Sequence, residues 1–315
     1  MNGKSLARNS RNKNSWFMIM NLDILMSVKS IVVKITLVAN CILLQLCYQN
    51  PCNHKNAPQV DRNISFVASG DTKDSSDIRK ESNYIKKSFG KTVQGRDIVG
   101  YVFGNKGYPL TLILTVHGDE RPAGLLIEML VDYLKDNINE IKGQQVIVVP
   151  HLNSDGWANQ TRTNANNVDI NRNFPTGWSS EYSQERYCPG RESASEIETK
   201  VLIDILRNNP PDKVIVIHSP LHEINYDGPA IELAKEMQNY NRYPIVRDIG
   251  YETPGSIGSY IGKIMDIPVI TLELSNDNAD RVWKENKDAL IAGICFETHK
   301  SAARGGGPSC GPGRK

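Results

Sequence analysis

Runs of apolar, β-branched residues alternate along the middle of the chain with longer segments in which apolar residues return at helical spacing. The runs predict strands at 110–117, 145–151, 213–218 and 267–274. Helices are predicted at 122–136, 194–208, 229–239 and 278–297. Uninterrupted apolar runs are typical of strands that a parallel sheet buries on both faces. The alternation therefore predicts an α/β fold with a mostly parallel central sheet covered by helices on both faces.

Residue types that bind metals stand at the ends of three of these predicted strands. His117 ends the first strand and Glu120 lies three residues beyond it, His218 ends the third, and Glu273 comes near the end of the fourth. Each residue alone also suits a plainer interpretation, such as a surface turn or a hydrogen-bonded strand-end histidine. Because the carboxyl ends of parallel strands meet at one sheet edge, where ligands bind in such folds, their coincidence favours a site. Two His and one Glu with an open fourth position form a catalytic zinc set.

A long irregular stretch at 152–192 contains the densest polar motif of the chain. It reads Asn-Val-Asp-Ile-Asn-Arg-Asn-Phe-Pro over 167–175. Long loops inside compact domains are usually functional, and an arginine beside an amide can grip a carboxylate. The alternative is a hydrogen-bonded loop of Asn-rich turns.

These residues together resemble the zinc carboxypeptidases of the carboxypeptidase A type. The motifs that carry the resemblance stand in the family's order: His117-x-x-Glu120, Asn153-Ser154-Asp155-Gly156, Asn171-Arg172, Ser195-Glu196-x-Glu198, His218 and Glu273. The similar region spans about residues 85 to 298. The resemblance implies a zinc-carboxypeptidase-like fold and a hydrolase.

Two further stretches are similar to the bacterial murein peptide amidases of this family. They are 250–259, Gly-Tyr-Glu-Thr-Pro-Gly-Ser-Ile-Gly-Ser, and 164–169, Asn-Ala-Asn-Asn-Val-Asp. Those amidases release meso-diaminopimelate from L-Ala-γ-D-Glu-meso-diaminopimelate during cell-wall recycling. The resemblance therefore implies a small murein peptide as the substrate.

The resemblance also implies roles for the residues at the predicted strand ends. His117, Glu120 and His218 match the family's ligands for one Zn²⁺ per chain. Glu273 matches its general base, which takes a proton from the attacking water.

Substrate contacts are implied in the same way. Asn171 and Arg172 match the pair that grips the free α-carboxylate of the departing residue. Arg162 resembles the arginine that stabilises the oxyanion, and Tyr251 resembles the mobile tyrosine that closes over substrate. The alternatives for these last two roles are Arg121 and Tyr260.

Three other functions remain open from the sequence. A general metallocarboxypeptidase would use the same site on ordinary peptide C-termini. An acyl-amino-acid deacylase of the aspartoacylase type has a similar zinc set, although the run at 171–174 favours a peptidase. A catalytically inactive binding module would be expected to lack a ligand or the base, and all four positions are present.

The two ends of the chain differ from its middle. The net charge of +2 comes from basic ends, while acidic residues outnumber basic ones in 61–299, the predicted catalytic domain. Residues 1–60 form a basic and apolar leader, and the Gly/Pro-rich tail at 300–315 is predicted to be disordered.

If 16–48 acts as a signal or anchor, the protein is periplasmic, secreted or membrane-anchored; an overextended gene start would leave it cytoplasmic. Membrane contact is expected only through this segment, and no basic aromatic face predicts nucleic-acid binding.

Overall fold

A computed structural model describes residues 83–298, apart from 108, 142 and 248. The predictions of a leader at 1–60 and of a disordered tail at 300–315 lie outside the described residues. None of the helices in the described part is both long and apolar enough to cross a membrane.

Eight strands form one mixed sheet. They are β1 (Tyr84–Lys91), β2 (Asp97–Phe103), β3 (Leu110–Thr115), β4 (Gln145–Val149), β5 (Lys213–His218), β6 (Glu223–Asp227), β7 (Ile245–Val246) and β8 (Val269–Glu273). Their order across the sheet is β1-β2-β4-β3-β5-β8-β6-β7. The four central strands β4, β3, β5 and β8 run parallel. The pairs β1–β2, β2–β4 and β6–β8 are antiparallel, and β7 pairs parallel with β6.

The helices connect these strands and lie on both sides of the sheet. They are α1 (Arg121–Asp136), α2 (Ser154–Asn159), α3 (Ile197–Asn208), α4 (Ile231–Asn241), α5 (Ile257–Ser259), which continues as a π-helical turn at Tyr260–Ile264, and α6 (Ala279–Cys295). Pro122 stands in the first turn of α1, where its missing N–H costs no hydrogen bond.

The hydrophobic core is split in two by the sheet. Alternate residues of the central strands point to opposite faces, so Ile113 and Ile215 pack with α1, α4 and α6. Leu112 and Val214 pack on the other face with α3 and the segment around Ile257. Each fully buried aliphatic side chain contributes about 1.5–3 kcal/mol of transfer free energy. The predicted sheet with helices on both faces is confirmed.

The sequence did not predict four of the strands, β1, β2, β6 and β7. Strand β1 is largely exposed, and β6 reads Glu-Ile-Asn-Tyr-Asp, so neither shows the uninterrupted apolar pattern of the central strands. The stretch at 152–192, predicted to be irregular, also contains the short helix α2, which is capped by Asn153 through its side-chain oxygen.

Candidate active site

Three neighbouring parallel strands end at the same edge of the sheet. In their register, Thr115 pairs with Ile217 and His218 pairs with Glu273. His117 lies two residues beyond the end of β3, while His218 and Glu273 are the last residues of β5 and β8. The convergence predicted from the apolar runs is thus present in the fold.

The loop between β3 and α1 is fixed by a close contact with α2. A Cβ atom on Gly118 would lie 2.0 Å from the carbonyl carbon of Gly156, so only glycine fits there. The N–H of Gly118 donates to the carbonyl oxygen of Thr161 at 3.0 Å. This contact sets the position of the loop, and therefore of His117 and Glu120, on either side of Gly118.

His117, Glu120 and His218 bring their side chains to one point. Their potential ligand atoms all lie within 4.8 Å of one another. Nδ1 of His117 is 2.7 Å from Oε1 of Glu120, and Nδ1 of His218 is 2.9 Å from Oε2 of the same carboxylate. The two Nδ1 atoms are 3.2 Å apart. Two imidazoles and one carboxylate held this closely suit a zinc ion with a further position left for substrate or water.

Asp169, a residue for which the sequence predicted no role, lies behind this set. Its Oδ1 is 3.0 Å from Nε2 of His117, the ring nitrogen that faces away from Glu120. Its Oδ2 accepts a hydrogen bond from Nε of Arg162 at 2.9 Å. A carboxylate in this position orients a metal-binding imidazole and fixes its tautomer. The only signal in the sequence was its place in the polar motif at 167–175.

The electrostatics of the site keep the carboxylates of Glu120 and Asp169 ionised. Burial raises the pKa of Glu120, but His117 and His218 outweigh burial and keep that pKa well below its ordinary value. Burial likewise opposes ionisation of Asp169, whose pKa is nevertheless lowered, chiefly by His117 and then by Arg162. Burial raises the pKa of Glu273, which favours its protonated form. A base with a raised pKa is suited to accept and return a proton near neutral pH.

A cavity of about 480 Å³ opens beside these residues. Besides His117, Glu120 and His218, it is lined by Glu273, Arg162, Asn171, Arg172 and Tyr251. The eight residues predicted to bind metal, catalyse the reaction or contact substrate therefore border one space. Ser219 and the loop at 249–258 also contribute to its wall.

The substrate-facing polar groups of this cavity are arranged by backbone contacts. The side-chain oxygen of Asn171 accepts a hydrogen bond from the N–H of Ile257 at 2.9 Å, which leaves its NH₂ group for a ligand. Arg172 is buried and donates through Nη1 to the carbonyl oxygen of Asn171 at 2.8 Å. Tyr251 is 58% exposed, so its ring stands at the mouth of the cavity.

The two alternative residues lie elsewhere. The guanidinium of Arg121 stacks 3.2 Å from the ring centre of Trp157 and donates to its carbonyl oxygen, and Arg121 does not line the cavity. Tyr260 packs against Phe174 in the core. Arg162 instead reaches Glu120, with Nη1 3.3 Å from Oε1. The geometry thus favours Arg162 and Tyr251 over Arg121 and Tyr260.

Comparison with known proteins agrees with this geometry. The family model Peptidase_M14, zinc carboxypeptidase, matches residues 77–258, more than half of the chain. Murein peptide amidase A of Vibrio campbellii (strain ATCC BAA-1116) is 33% identical over 224 residues, which cover 65% of this chain and 85% of that protein.

Solved structures show the same fold. The murein-tripeptide amidase MpaA from Escherichia coli O157 has a TM-score of 0.56 and 25% identity, and the match covers 68% of this chain and 92% of that one. Carboxypeptidase A from Helicoverpa armigera, with a TM-score of 0.60 and 18% identity over 71% of this chain and 69% of that one, is similar in fold alone. The expected resemblance is confirmed, and the chain belongs to the zinc carboxypeptidase family, as a metallopeptidase similar to the murein peptide amidases.

Proposed function

We propose that this protein is a zinc-dependent amidase that hydrolyses the γ-D-glutamyl–meso-diaminopimelate bond of small murein peptides. The observation that carries the proposal is the convergence of His117, Glu120 and His218 with Glu273 and Arg172 around one cavity. The murein peptide amidases, at 33% identity in one case, supply the substrate class.

In this proposal His117, Glu120 and His218 hold one zinc ion per chain. Zinc in such a site supplies Lewis acidity, which polarises the scissile carbonyl and lowers the pKa of water. Asp169 keeps the ring of His117 in place from behind. The N–H of Ser219 donates to Oε2 of Glu120 at 3.3 Å and helps to fix that carboxylate.

Glu273 is the general base and later the acid. It ends β8 in register with His218, so its carboxyl group borders the cavity next to the ligand set. It accepts a proton from the attacking water and delivers it to the nitrogen of the leaving residue. Proton transfer of this kind contributes about 10²–10⁴-fold to the rate.

Arg172 and Asn171 position the leaving residue. A buried guanidinium beside an available amide NH₂ suits a free α-carboxylate. Meso-diaminopimelate carries such a carboxylate at the scissile end of the murein peptide. Because this clamp needs a free carboxylate, only a terminal residue is released.

Arg162 and Tyr251 complete the proposed machinery. Arg162 lines the cavity beside the ligand set, where its charge stabilises the oxyanion that forms on the scissile carbonyl. Tyr251 stands at the cavity mouth, from which it covers the bound substrate.

The test is incubation of the purified protein with L-Ala-γ-D-Glu-meso-diaminopimelate, with and without a zinc chelator, and detection of products by mass spectrometry. We expect release of free diaminopimelate that the chelator abolishes and zinc restores. Glu273→Gln should retain zinc and lose activity by at least about 10²-fold. Release of C-terminal residues from ordinary peptides, without cleavage of the murein peptide, would instead establish a general metallocarboxypeptidase.

A further inference from the structure

Two oppositely charged residues of the cavity wall have no part in the reaction proposed above. Asp119 stands in the loop after β3, between the proposed zinc ligands His117 and Glu120. Arg186 stands in the single 3₁₀ turn Glu185–Tyr187, within the long segment that follows α2. Both residues line the cavity. They place one negative and one positive charge on the cavity wall close to the proposed metal site.

The ion pair between these two residues is loose. Nη2 of Arg186 is 3.5 Å from Oδ2 of Asp119, and the side chains are 52% and 33% exposed. This distance is longer than that of a good hydrogen bond, and an exposed ion pair adds little stability. A ligand that carries both charges can therefore replace each partner at little cost.

The ring of Tyr187 gathers three guanidinium groups, one of which is that of Arg186. The Cζ atoms of Arg162, Arg172 and Arg186 lie 5.2, 5.5 and 5.5 Å from the ring centre. An aromatic face attracts such cations, but their charges repel one another unless anionic groups lie nearby. In the proposed reaction Arg172 meets the leaving α-carboxylate and Arg162 meets the oxyanion. Arg186 is left with its loose contact to Asp119.

The backbone that carries Arg186 is fixed to the metal side of the site. The carbonyl oxygen of Cys188 accepts a hydrogen bond from the N–H of Asp169 at 2.8 Å. The next carbonyl oxygen, that of Pro189, accepts from the side chains of Asn173 at 2.7 Å and Trp178 at 3.0 Å. Only the end of the Arg186 side chain is therefore free to adjust to a ligand.

The proposed substrate carries two charges on the carbonyl side of the scissile bond. D-Glu is linked through its γ-carboxyl group, so its α-carboxylate is free, and L-Ala has a free ammonium group. In an ordinary peptide the α-carboxyl group at this position forms the scissile amide, and no such carboxylate remains. A guanidinium matches the carboxylate, and a carboxylate matches the ammonium, which has only donors. Arg186 and Asp119 supply these two complements.

We propose that Arg186 binds the free α-carboxylate of D-Glu and that Asp119 binds the ammonium group of L-Ala. The inference rests on the proposed function and assigns the residues that recognise the acyl part of its substrate. On binding, the pair separates and each side chain takes a substrate group of opposite charge. The γ-linked murein peptide is thereby selected over α-linked peptides.

The test compares three substrates that share the same scissile bond and leaving residue. The first is L-Ala-γ-D-Glu-meso-diaminopimelate, the second has the α-carboxyl group of D-Glu amidated, and the third is N-acetylated on L-Ala. We expect the wild-type protein to prefer the first over each of the others by about 10-fold in kcat/KM. This is the low end for a hydrogen bond to a charged group, because both side chains are partly exposed.

Each variant should lose one preference and keep the other. Arg186→Gln should cleave the first peptide and its α-amide equally well and still disfavour the N-acetyl peptide. Asp119→Asn should show the reverse. The matched control is Arg191→Gln, because Arg191 belongs to the same segment, is 70% exposed and lies outside the cavity lining. This control should keep both preferences. Because each preference is a ratio measured on one variant, a general loss of activity cancels.

A wild-type protein that cleaves all three peptides equally would overturn the proposal. A variant that keeps the preference assigned to its residue would overturn that assignment. If none of the peptides is cleaved, the proposed function fails, and calorimetric titration of the zinc-loaded protein with the same peptides tests the pair separately. Tighter binding of the first peptide, lost in Arg186→Gln against the α-amide, would uphold the assignment. Equal binding, or no binding, would overturn it.

Discussion

The carboxylate of Asp169 joins the metal side of the cavity to its substrate side, with Oδ1 3.0 Å from Nε2 of His117. The same oxygen accepts a hydrogen bond from the N–H of Asn171 at 2.9 Å. Its other oxygen accepts from Arg162. One buried side chain therefore positions a proposed zinc ligand, the proposed oxyanion arginine and the carboxylate clamp.

Asp169→Asn should lower zinc affinity about 10- to 100-fold, the usual cost of removing such a partner of a metal-binding imidazole. The amide is uncharged, so its oxygen is a weaker acceptor for the Nε2–H of His117, and its NH₂ group meets the Nε–H of Arg162, which is also a donor. Competition with a chromogenic zinc chelator measures the change.

Asp155→Asn is the control for this measurement. Asp155 is also a fully buried carboxylate, and it is ion-paired with Arg96 at 2.7 Å, away from the cavity. Its replacement should lower stability without changing zinc affinity. Equal zinc affinity in Asp169→Asn and the wild type would show that Asp169 does not support the metal site.

The proposed ligands and base could be found from the sequence because each follows a strand with an unmistakable apolar pattern. Strands β3, β5 and β8 end at or just before His117, His218 and Glu273. The carboxyl ends of parallel strands lie at one edge of the sheet, irrespective of the loops that follow them. Asp169 stands in a turn within an irregular loop, and its approach to His117 depends on tertiary packing that no local pattern encodes.

Arg172→Gln should lower kcat/KM for the free murein tripeptide by about 100-fold, since it removes a charge-assisted contact from a buried position. The effect should be much smaller for the same peptide with an amidated diaminopimelate α-carboxyl group, because that substrate lacks the charge. The measurement is the ratio of kcat/KM for the two peptides in variant and wild type.

Arg186→Gln is the matched control for the clamp. Arg186 also lines the cavity, but its side chain is 52% exposed and it pairs with Asp119 at 3.5 Å. Its loss should leave the preference for a free diaminopimelate α-carboxylate intact. If Arg172→Gln and Arg186→Gln reduce that preference equally, the free carboxylate is recognised by the combined positive charge of the cavity and not by Arg172 alone.

Glu198 makes the stability of the fold depend on pH. It is fully buried in α3, its Oε2 accepts from Asn164 at 3.0 Å, and burial raises its pKa to about 7 from 4.5. Between these values the folded protein keeps a proton that the unfolded chain has released. The contribution of Glu198 to the free energy of unfolding is therefore greatest below about pH 4.5. It falls as the pH rises toward 7 and does not change further above pH 7.

The full loss amounts to about 3 kcal/mol, because one pKa unit corresponds to about 1.4 kcal/mol. Glu198→Gln keeps an acceptor for Asn164 and does not titrate. Urea unfolding at pH 5 and pH 8 should show a smaller loss of stability in this variant than in the wild type, by up to about 3 kcal/mol. Asp204→Asn removes an exposed charge from the same helix and should follow the wild type. An equal loss of stability between pH 5 and pH 8 in Glu198→Gln and the wild type would contradict this prediction. It would mean that Glu198 is ionised in the folded protein at both pH values and that its hydrogen bond with Asn164 compensates for its burial.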